Sequence, residues 1–276
     1  MKQLTRRKKA LTKAVIFIVV LLTTSFIMFF LLGKYHSTPA KEIVEDSRKP
    51  LNTPQHKNKI SPESHKRPDE KTDGKVVYLT FDDGPSALTG QFLDVLKEHN
   101  IKATFFMQGS NLLNTCYQEI VKRAVKEGHY IGAHSMTHNS NELYQNKQFV
   151  PEMKETLALI YHITGSKSKL VRPPYGSVPG LEPEEIRNQI VDAGIKVWDW
   201  TIDSYDWKLK DHPDQIITNI KNQTTEKVEV ILMHEKSQTL QALPDIIQFY
   251  KEQGYEFGVY NEENHLQVNF LNDQRI

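Results

Sequence analysis

The chain reads as an α/β protein of parallel strands joined by helical crossovers, either an open layered sheet or a (β/α) barrel. Three observations predict this. Short apolar, β-branched or aromatic runs recur seven times, as VVYLTF (76–81), KATFFM (102–107), HYIGA (129–133), KLVR (169–172), IKVWDW (195–200), VEVILM (228–233) and EFGVY (256–260). Each has the length and composition of a strand. Between them apolar residues fall at helical spacing, as in Phe92, Val95, Leu96, then Ile120, Val121, Ala124, Val125, then Met153, Leu157, Ile160, then Ile186, Ile190, Ala193. Four helix ends share one punctuation, a residue tolerant of left-handed backbone followed at once by a strand: Asn100, Gly128, Gly194 and Gly254. Regular alternation of this kind predicts right-handed crossovers, and periodicity alone does not separate sheet from barrel.

This pattern begins only at residue 75. The overall charge of +1 and hydrophobic content of 38% average over regions of different character. Lys2, Arg6, Arg7, Lys8, Lys9 and Lys13 precede an uncharged apolar run from Ala14 to Gly33. As a helix that run spans about 30 Å, one membrane crossing. Positive charge on its N-terminal side alone predicts residues 1–13 in the cytoplasm and everything after Gly33 outside. A cleaved signal peptide is the competing reading, but the run exceeds the usual apolar core of roughly 7–15 residues, and HSTPA is a poor cleavage site. Residues 34–74 hold five prolines, charges of both signs and one aromatic, Tyr35. They cannot bury enough apolar surface to offset ordering, so they read as a flexible spacer. Its basic residues are interleaved with Glu42, Glu45, Asp46, Glu63, Asp69 and Glu70, so no nucleic-acid partner is expected.

Residues 75–276 suffice for one globular domain. The single cysteine, Cys116, excludes an intrachain disulfide and, with no base beside it, reads as a buried or half-buried structural residue. An exported domain without disulfides suggests a Gram-positive bacterial surface.

The polar residues of this domain follow its strands: Asp82 and Asp83 after the first, His134 after the third, Arg172 at the end of the fourth, Asp203 after the fifth and His234 after the sixth. The C-terminal ends of parallel strands meet on one face, so residues 150 positions apart can converge there. Asp82 and Asp83 pose an electrostatic problem, because adjacent carboxylates at the mouth of a buried strand repel and lose hydration unless something positive lies beside them. A metal cation would relieve them. His134 and His138 stand at i and i+4, on one face if the segment is a helical turn, and two histidines with one carboxylate and an open position describe a catalytic divalent-metal site. HxxxH alone is weak, and His129, His162 and His212 show how often a histidine occurs without such a pattern.

TFDDGP (80–85), HSMTH (134–138), RPPYG (172–176), IDSYDW (202–207) and LMH (232–234) occur in that order. Together they resemble the NodB-homology polysaccharide deacetylases, carbohydrate esterase family 4, over essentially all of residues 75–270. The resemblance implies a distorted (β/α) barrel and removal of acetyl groups from N-acetylated sugars. By motif position it implies that Asp83, His134 and His138 bind a divalent metal, Zn²⁺ first and Co²⁺, Ni²⁺ or Mn²⁺ as alternatives. It further implies that Asp82 is the general base, oriented by Arg172, and that His234 is the general acid. Asp203 is expected to hold and charge His234, with Asp206 as the fallback, since the spacing DSYD lets either reach. The backbone N–H of Tyr175 is expected to meet the oxyanion. Pro174, Tyr175, Trp207 and Leu232 are expected to contact substrate, Leu232 at the acetyl methyl and Trp207 as a wall for a sugar face. Trp198 and Trp200 read as packing residues.

The expected activity is metal-dependent N-deacetylation of a cell-envelope glycan, with N-acetylglucosamine of peptidoglycan as leading substrate. The alternatives are a catalytically silent wall-binding protein, or deacylation of chitin-like oligomers or another N- or O-acylated compound.

Overall fold

The structure, a computed structural model, describes residues 74–276. The basic segment, the 14–33 anchor and the 34–74 linker up to residue 73 lie outside the described residues. No helix among the described residues is long and apolar enough to cross a membrane.

Eight strands alternate with helices: β1 (Lys75–Gly84), α1 (Thr89–Glu98), β2 (Thr104–Met107), α2 (Gly109–Leu112), α3 (Thr115–Lys126), β3 (Tyr130–Ala133), α4 (Phe149–Thr164), β4 (Leu170–Val171), α5 (Glu184–Asp192), β5 (Lys196–Val197), β6 (Ile202–Asp203), α6 (Pro213–Gln223), β7 (Val228–His234), α7 (Ser237–Glu252) and β8 (Tyr255–Gly258). All pairings are parallel. The order is β5-β4-β3-β2-β1-β7-β6, with β8 also paired to β1. The expected strand at 195–200 is shorter and broken. What remains of it, β5, pairs with β4, while β6, a separate strand a few residues later, pairs with β7 at the other edge of the sheet. One chain segment therefore belongs to both edges, which curls the sheet into a distorted half-barrel.

Residues alternate along β1 between two environments. Val77, Leu79 and Phe81 join the large cluster between sheet and helices, with Phe92, Leu93, Leu96 and Phe105. Tyr78, two residues before Thr80 and four before Asp82, packs instead against Phe106, Leu170, Trp198, Val230 and Tyr260 in the barrel interior. Trp198 is fully buried there, as a packing reading requires. Cys116 does not match its expected burial: it is exposed at the start of α3, where the side chain after the Asn114 cap faces solvent.

The four helix ends adopt the left-handed backbone that their residue types suggest, with φ of 55° at Asn100, 89° at Gly128, 65° at Gly194 and 74° at Gly254. After Asn100 the Ile101 N–H donates to the Leu96 carbonyl at 2.8 Å, closing the helix and releasing the chain toward β2. Since a Cβ in this region costs about 1 kcal/mol without local side-chain compensation, Asn100→Ala should lower stability by about that amount while Asn100→Gly should not. Denaturant midpoints at unchanged slope provide the measurement.

Candidate active site

The sheet register assembles the site. On β1 and β7 Asp82 lies opposite His234, and on β6 and β7 Asp203 lies opposite Leu232. The His134 N–H donates to the Met107 carbonyl at 2.8 Å and the Arg172 N–H to the Ala133 carbonyl at 2.9 Å, so these residues also sit at the C-terminal rim. In a regular strand Asp82 and Asp83 would face opposite sides. Here the β1–β2 register shifts between Phe81 and Gly84, and Asp83 turns left-handed at φ 67°. The irregularity re-aims Asp83 so that both carboxylates line one cleft.

That cleft, of about 400 Å³, is lined by Asp82, Asp83, His134, His138, Tyr175, Asp203, Trp207, Leu232 and His234, together with Pro173 and Trp200. Pro174 was expected to contact substrate but is buried beside the cleft, its carbonyl accepting the Tyr144 hydroxyl at 2.7 Å; Pro173 lines the cleft in its place. Trp200 packs edge-on against Phe270 at 4.9 Å, but its location on the cleft wall adds to the pure packing reading.

Asp83, His134 and His138 each offer one ligand atom, all within 4.8 Å of one another. The imidazole Nε2 atoms of His134 and His138 stand 3.7 and 3.6 Å from Asp83 Oδ1, a buried oxygen with no hydrogen-bond partner. His134 Nδ1 lies 2.8 Å from the Arg172 carbonyl, which can only accept, so Nδ1 carries the proton and Nε2 presents its lone pair to the cleft. Burial pushes the His134 pKa down, against the pull of Asp82 and Asp83, and this favours the neutral form that can ligate. Burial opposes ionisation of Asp83, but His134, His234, His138 and Lys236 outweigh it and hold its carboxyl below the usual range. One carboxylate and two imidazoles around an orphaned oxygen fit a divalent cation of the Zn²⁺ type. The two histidines do not share a helical turn: Ser135 and His138 are left-handed, and the loop folds back so that the His138 N–H donates to Ser135 Oγ at 2.9 Å.

Asp82 has a separate environment. It is 2% exposed, and Oδ1 accepts from Arg172 Nη1 at 3.0 Å. Its Oδ2 lies 3.7 Å from His134 Nε2. Arg172 is wholly buried beneath the cleft, its Nε and Nη2 donating to the carbonyls of Trp198 and Asp199 at 3.0 and 2.8 Å, with the guanidinium 4.3 Å from the Phe106 ring centroid.

Residues 69–198 match the polysaccharide deacetylase family. A peptidoglycan-N-acetylglucosamine deacetylase of Bacillus cereus is 50% identical over 208 residues, covering 73% of this chain and 75% of its own. The chain belongs to the polysaccharide deacetylase family. Among solved structures, a polysaccharide deacetylase from Bacillus cereus superposes with a TM-score of 0.71 at 50% identity, covering 73% of this chain and all of that one. The catalytic domain of a peptidoglycan N-acetylglucosamine deacetylase from Eubacterium rectale gives 0.66 at 29% identity, covering 74% and 96%.

In this deacetylase the carboxylate at His234 is Asp206, not Asp203. Asp206 is fully buried, and its Oδ1 accepts from His234 Nδ1 at 2.7 Å while Oδ2 accepts the His234 N–H and the Thr239 hydroxyl, each at 2.6 Å. Asp203 turns the other way: its Oδ1 accepts the Tyr205 N–H at 2.8 Å and its Oδ2 faces Trp207 Nε1 at 3.4 Å, so it shapes the turn that carries Asp206 and Trp207. Burial depresses the His234 pKa, but the hydrogen bond and charge of Asp206, with Asp82 and Asp83 behind it, raise it above 6.5 overall. The imidazolium thus persists to higher pH than in a free histidine.

Glu152, in the first turn of α4, has no motif to mark it in the sequence. Its buried carboxylate accepts the N–H groups of Met136 and Thr137 at 3.0 and 2.9 Å and the Thr137 hydroxyl at 2.9 Å, clamping the loop between His134 and His138. Glu235 is similarly unmarked. It accepts the hydroxyls of Ser86 and Thr89, at 2.6 and 2.5 Å, and tethers the turn after β1 to the end of β7. Gly84 permits this, since a Cβ there would strike the Glu235 carboxylate.

Two outcomes follow from these contacts. Glu152→Ala strands two N–H donors and a hydroxyl, at a cost on the order of 3 kcal/mol, so the melting temperature should fall by roughly 6–12 °C; a smaller loss on calorimetry would mean that water replaces the clamp. Asp206→Asn removes the charge that holds His234 protonated, so the His234 NMR titration midpoint should move to lower pH.

Proposed function

We propose that this chain is a metal-dependent N-deacetylase of a cell-envelope glycan, acting on N-acetylglucosamine residues of peptidoglycan. The observation that carries the reading is the division of labour between adjacent carboxylates. Asp83 shares its orphaned oxygen with two imidazoles, whereas Asp82, held by Arg172, keeps Oδ2 at the cleft opposite His234. A silent glycan binder would have no use for a second carboxylate kept apart from the ligand set. The substrate follows from the Bacillus cereus and Eubacterium rectale relatives, both peptidoglycan N-acetylglucosamine deacetylases.

Asp83, His134 and His138 would hold the cation, which when bound supplies Lewis-acid polarisation of the acetyl carbonyl and a water of lowered pKa. Asp82 Oδ2 accepts the proton of the attacking water, with Arg172 fixing the carboxylate plane. The Tyr175 N–H, on a left-handed residue at φ 69°, donates to the developing oxyanion. His234 donates its Nε2 proton to the sugar nitrogen as the carbon–nitrogen bond breaks, leaving acetate and a free amine. Asp206 keeps the imidazolium charged, and Leu232 and Trp207 present apolar surface to the acetyl methyl and a sugar face. Residues 14–33 would anchor the chain in the cell membrane, with residues 34–74 carrying the catalytic domain to the wall of a Gram-positive bacterium.

Acetate release from purified peptidoglycan and N-acetylglucosamine oligomers by the full chain in detergent tests this. Chelation should abolish release and added Zn²⁺ restore it, while Asp82→Asn should lower turnover by roughly 10²–10⁴-fold. Release that survives chelation would defeat the metal assignment, and silence on every N-acetylated glycan would defeat the deacetylase reading itself.

A further inference from the structure

The turn that carries Tyr175 is bent against its local preference. Tyr175 and Gly176 are both left-handed, at φ 69° and 84°, and a non-glycine residue keeps such a backbone only where its surroundings fix it from both sides. Ahead of Tyr175 the chain is fixed by Pro173 and Pro174, whose rings restrict φ, and by the Tyr144 hydroxyl on the Pro174 carbonyl. Among the described residues the Tyr175 N–H donates to no protein group, so its direction is set by the flanks of the turn alone.

The second flank is fixed by one buried carboxylate that lies outside every motif named above. Asp199 Oδ1 accepts the Ser177 N–H at 2.9 Å, and Oδ2 accepts the Ser177 hydroxyl at 2.5 Å and the Phe270 N–H at 2.8 Å. Asp199 and Ser177 are both fully buried, so water does not stand in for either partner. The main chain of Asp199 is held on two sides. Its carbonyl accepts Arg172 Nη2 at 2.8 Å, and its N–H donates to the Val268 carbonyl at 2.7 Å, beside an isolated parallel bridge between Trp198 and Val268. The Phe270 ring then closes over the turn, edge-on to Trp200 at 4.9 Å and so close to Gly176 that a Cβ there would lie 2.8 Å from the ring. The C-terminal segment is anchored in its turn by Asp273, 3.0 Å from Arg187 Nε on α5, and by Ile276, which is buried in the main core.

We infer that Asp199 and the C-terminal segment at Phe270 are positioning residues of the reaction, which together keep the Tyr175 N–H aimed at the point in the cleft where the acetyl oxygen takes up charge. The inference rests on the deacetylase reading above. It gives a part in transition-state stabilisation to a segment 93 residues beyond Ser177, although neither Asp199 nor Phe270 lines the cleft. Arg172 holds the Asp82 carboxylate with Nη1 and the Asp199 carbonyl with Nη2, so the proton acceptor and the oxyanion donor are referred to one frame.

The test uses the full chain in detergent, loaded with Zn²⁺, and the variants Asp199→Asn and Ser177→Ala. Asparagine offers one acceptor oxygen where a carboxylate offers two to three donors, and Ser177→Ala removes one of those donors while leaving the carboxylate. A misaimed donor weakens transition-state binding and spares the ground state, in which the acetyl oxygen is neutral. On N-acetylglucosamine oligomers kcat should fall about 10²-fold in Asp199→Asn and about tenfold in Ser177→Ala, with KM and the Zn²⁺ affinity measured by chelator competition within about twofold of the unaltered protein. Binding of a methylphosphonamidate analogue, whose anionic oxygen takes the place of the oxyanion, should weaken by the same factor as kcat. Unchanged kcat in both variants, a loss carried by KM or by Zn²⁺ affinity, or analogue binding that holds its strength while kcat falls would overturn the inference. If Asp199→Asn does not fold, Ser177→Ala decides the matter by the same readouts. Should the unaltered protein release no acetate from any N-acetylated glycan, the deacetylase reading fails and takes the inference with it, whereas an active unaltered protein with any of the overturning results leaves that reading standing.

Discussion

The buried guanidinium of Arg172 is the interaction on which the site depends. A charge carried into the barrel interior is tolerable only if its donors are met and an opposite charge lies beside it. Burial pulls its pKa down, and Asp82 opposes that pull. The donors go to Asp82 and Thr80 on β1 and to the carbonyls of Trp198 and Asp199 on the segment that links the sheet's two edges. One side chain thereby fixes the orientation of a carboxylate and ties the central strand to the closing segment. The Arg172 backbone carbonyl, in turn, receives His134 Nδ1. The same residue therefore orients the proton acceptor through its side chain and a candidate metal ligand through its main chain.

Around this centre the molecule uses carboxylates for two different purposes. Asp206, Glu152 and Glu235 accept hydrogen bonds within the protein, Glu235 through Oε2, each restraining a loop that carries part of the site. Asp199 belongs with them: it accepts the N–H groups of Ser177 and Phe270, at 2.9 and 2.8 Å, which fastens the loop after Tyr175 to the C-terminal segment. Burial raises the pKa values of Asp199 and Glu235, as expected of acids buried for structural ends. Asp83 carries a buried oxygen without a hydrogen bond, as Glu127 and Glu235 also do, but the orphaned oxygen of Asp83 faces two imidazoles. That contrast distinguishes a group built to bind a cation from groups built to hold loops.

Much of this was legible from residue order. The alternation of strand and helix, the left-handed helix ends and the convergence of polar residues at strand ends are local or periodic properties, and local sterics and burial decide them. The candidate ligand set and base were implied by the resemblance of their motifs to the family, and those motifs lie within a few residues of a strand end. What was misread has a common origin. Asp203 and Asp206 lie three residues apart in one turn, and which of them faces His234 depends on the left-handed backbone at Tyr205. Pro173 and Pro174 are adjacent, and only the path of the loop decides which one meets the cleft. Glu152 and Glu235 carry no local signature at all, since their partners stand 15 and 149 residues away.

The α/β class, the order of the strands along the chain and the residue types able to hold a cation or move a proton are readable in the amino-acid order, because each follows from spacing and side-chain chemistry over a few neighbours. That β5 and β6 would join opposite edges of the sheet, that a bulge would turn Asp83 beside Asp82, and that Asp206 would meet His234 are properties of the packed barrel. Those outcomes depend on sheet register and on the satisfaction of buried donors across the whole barrel.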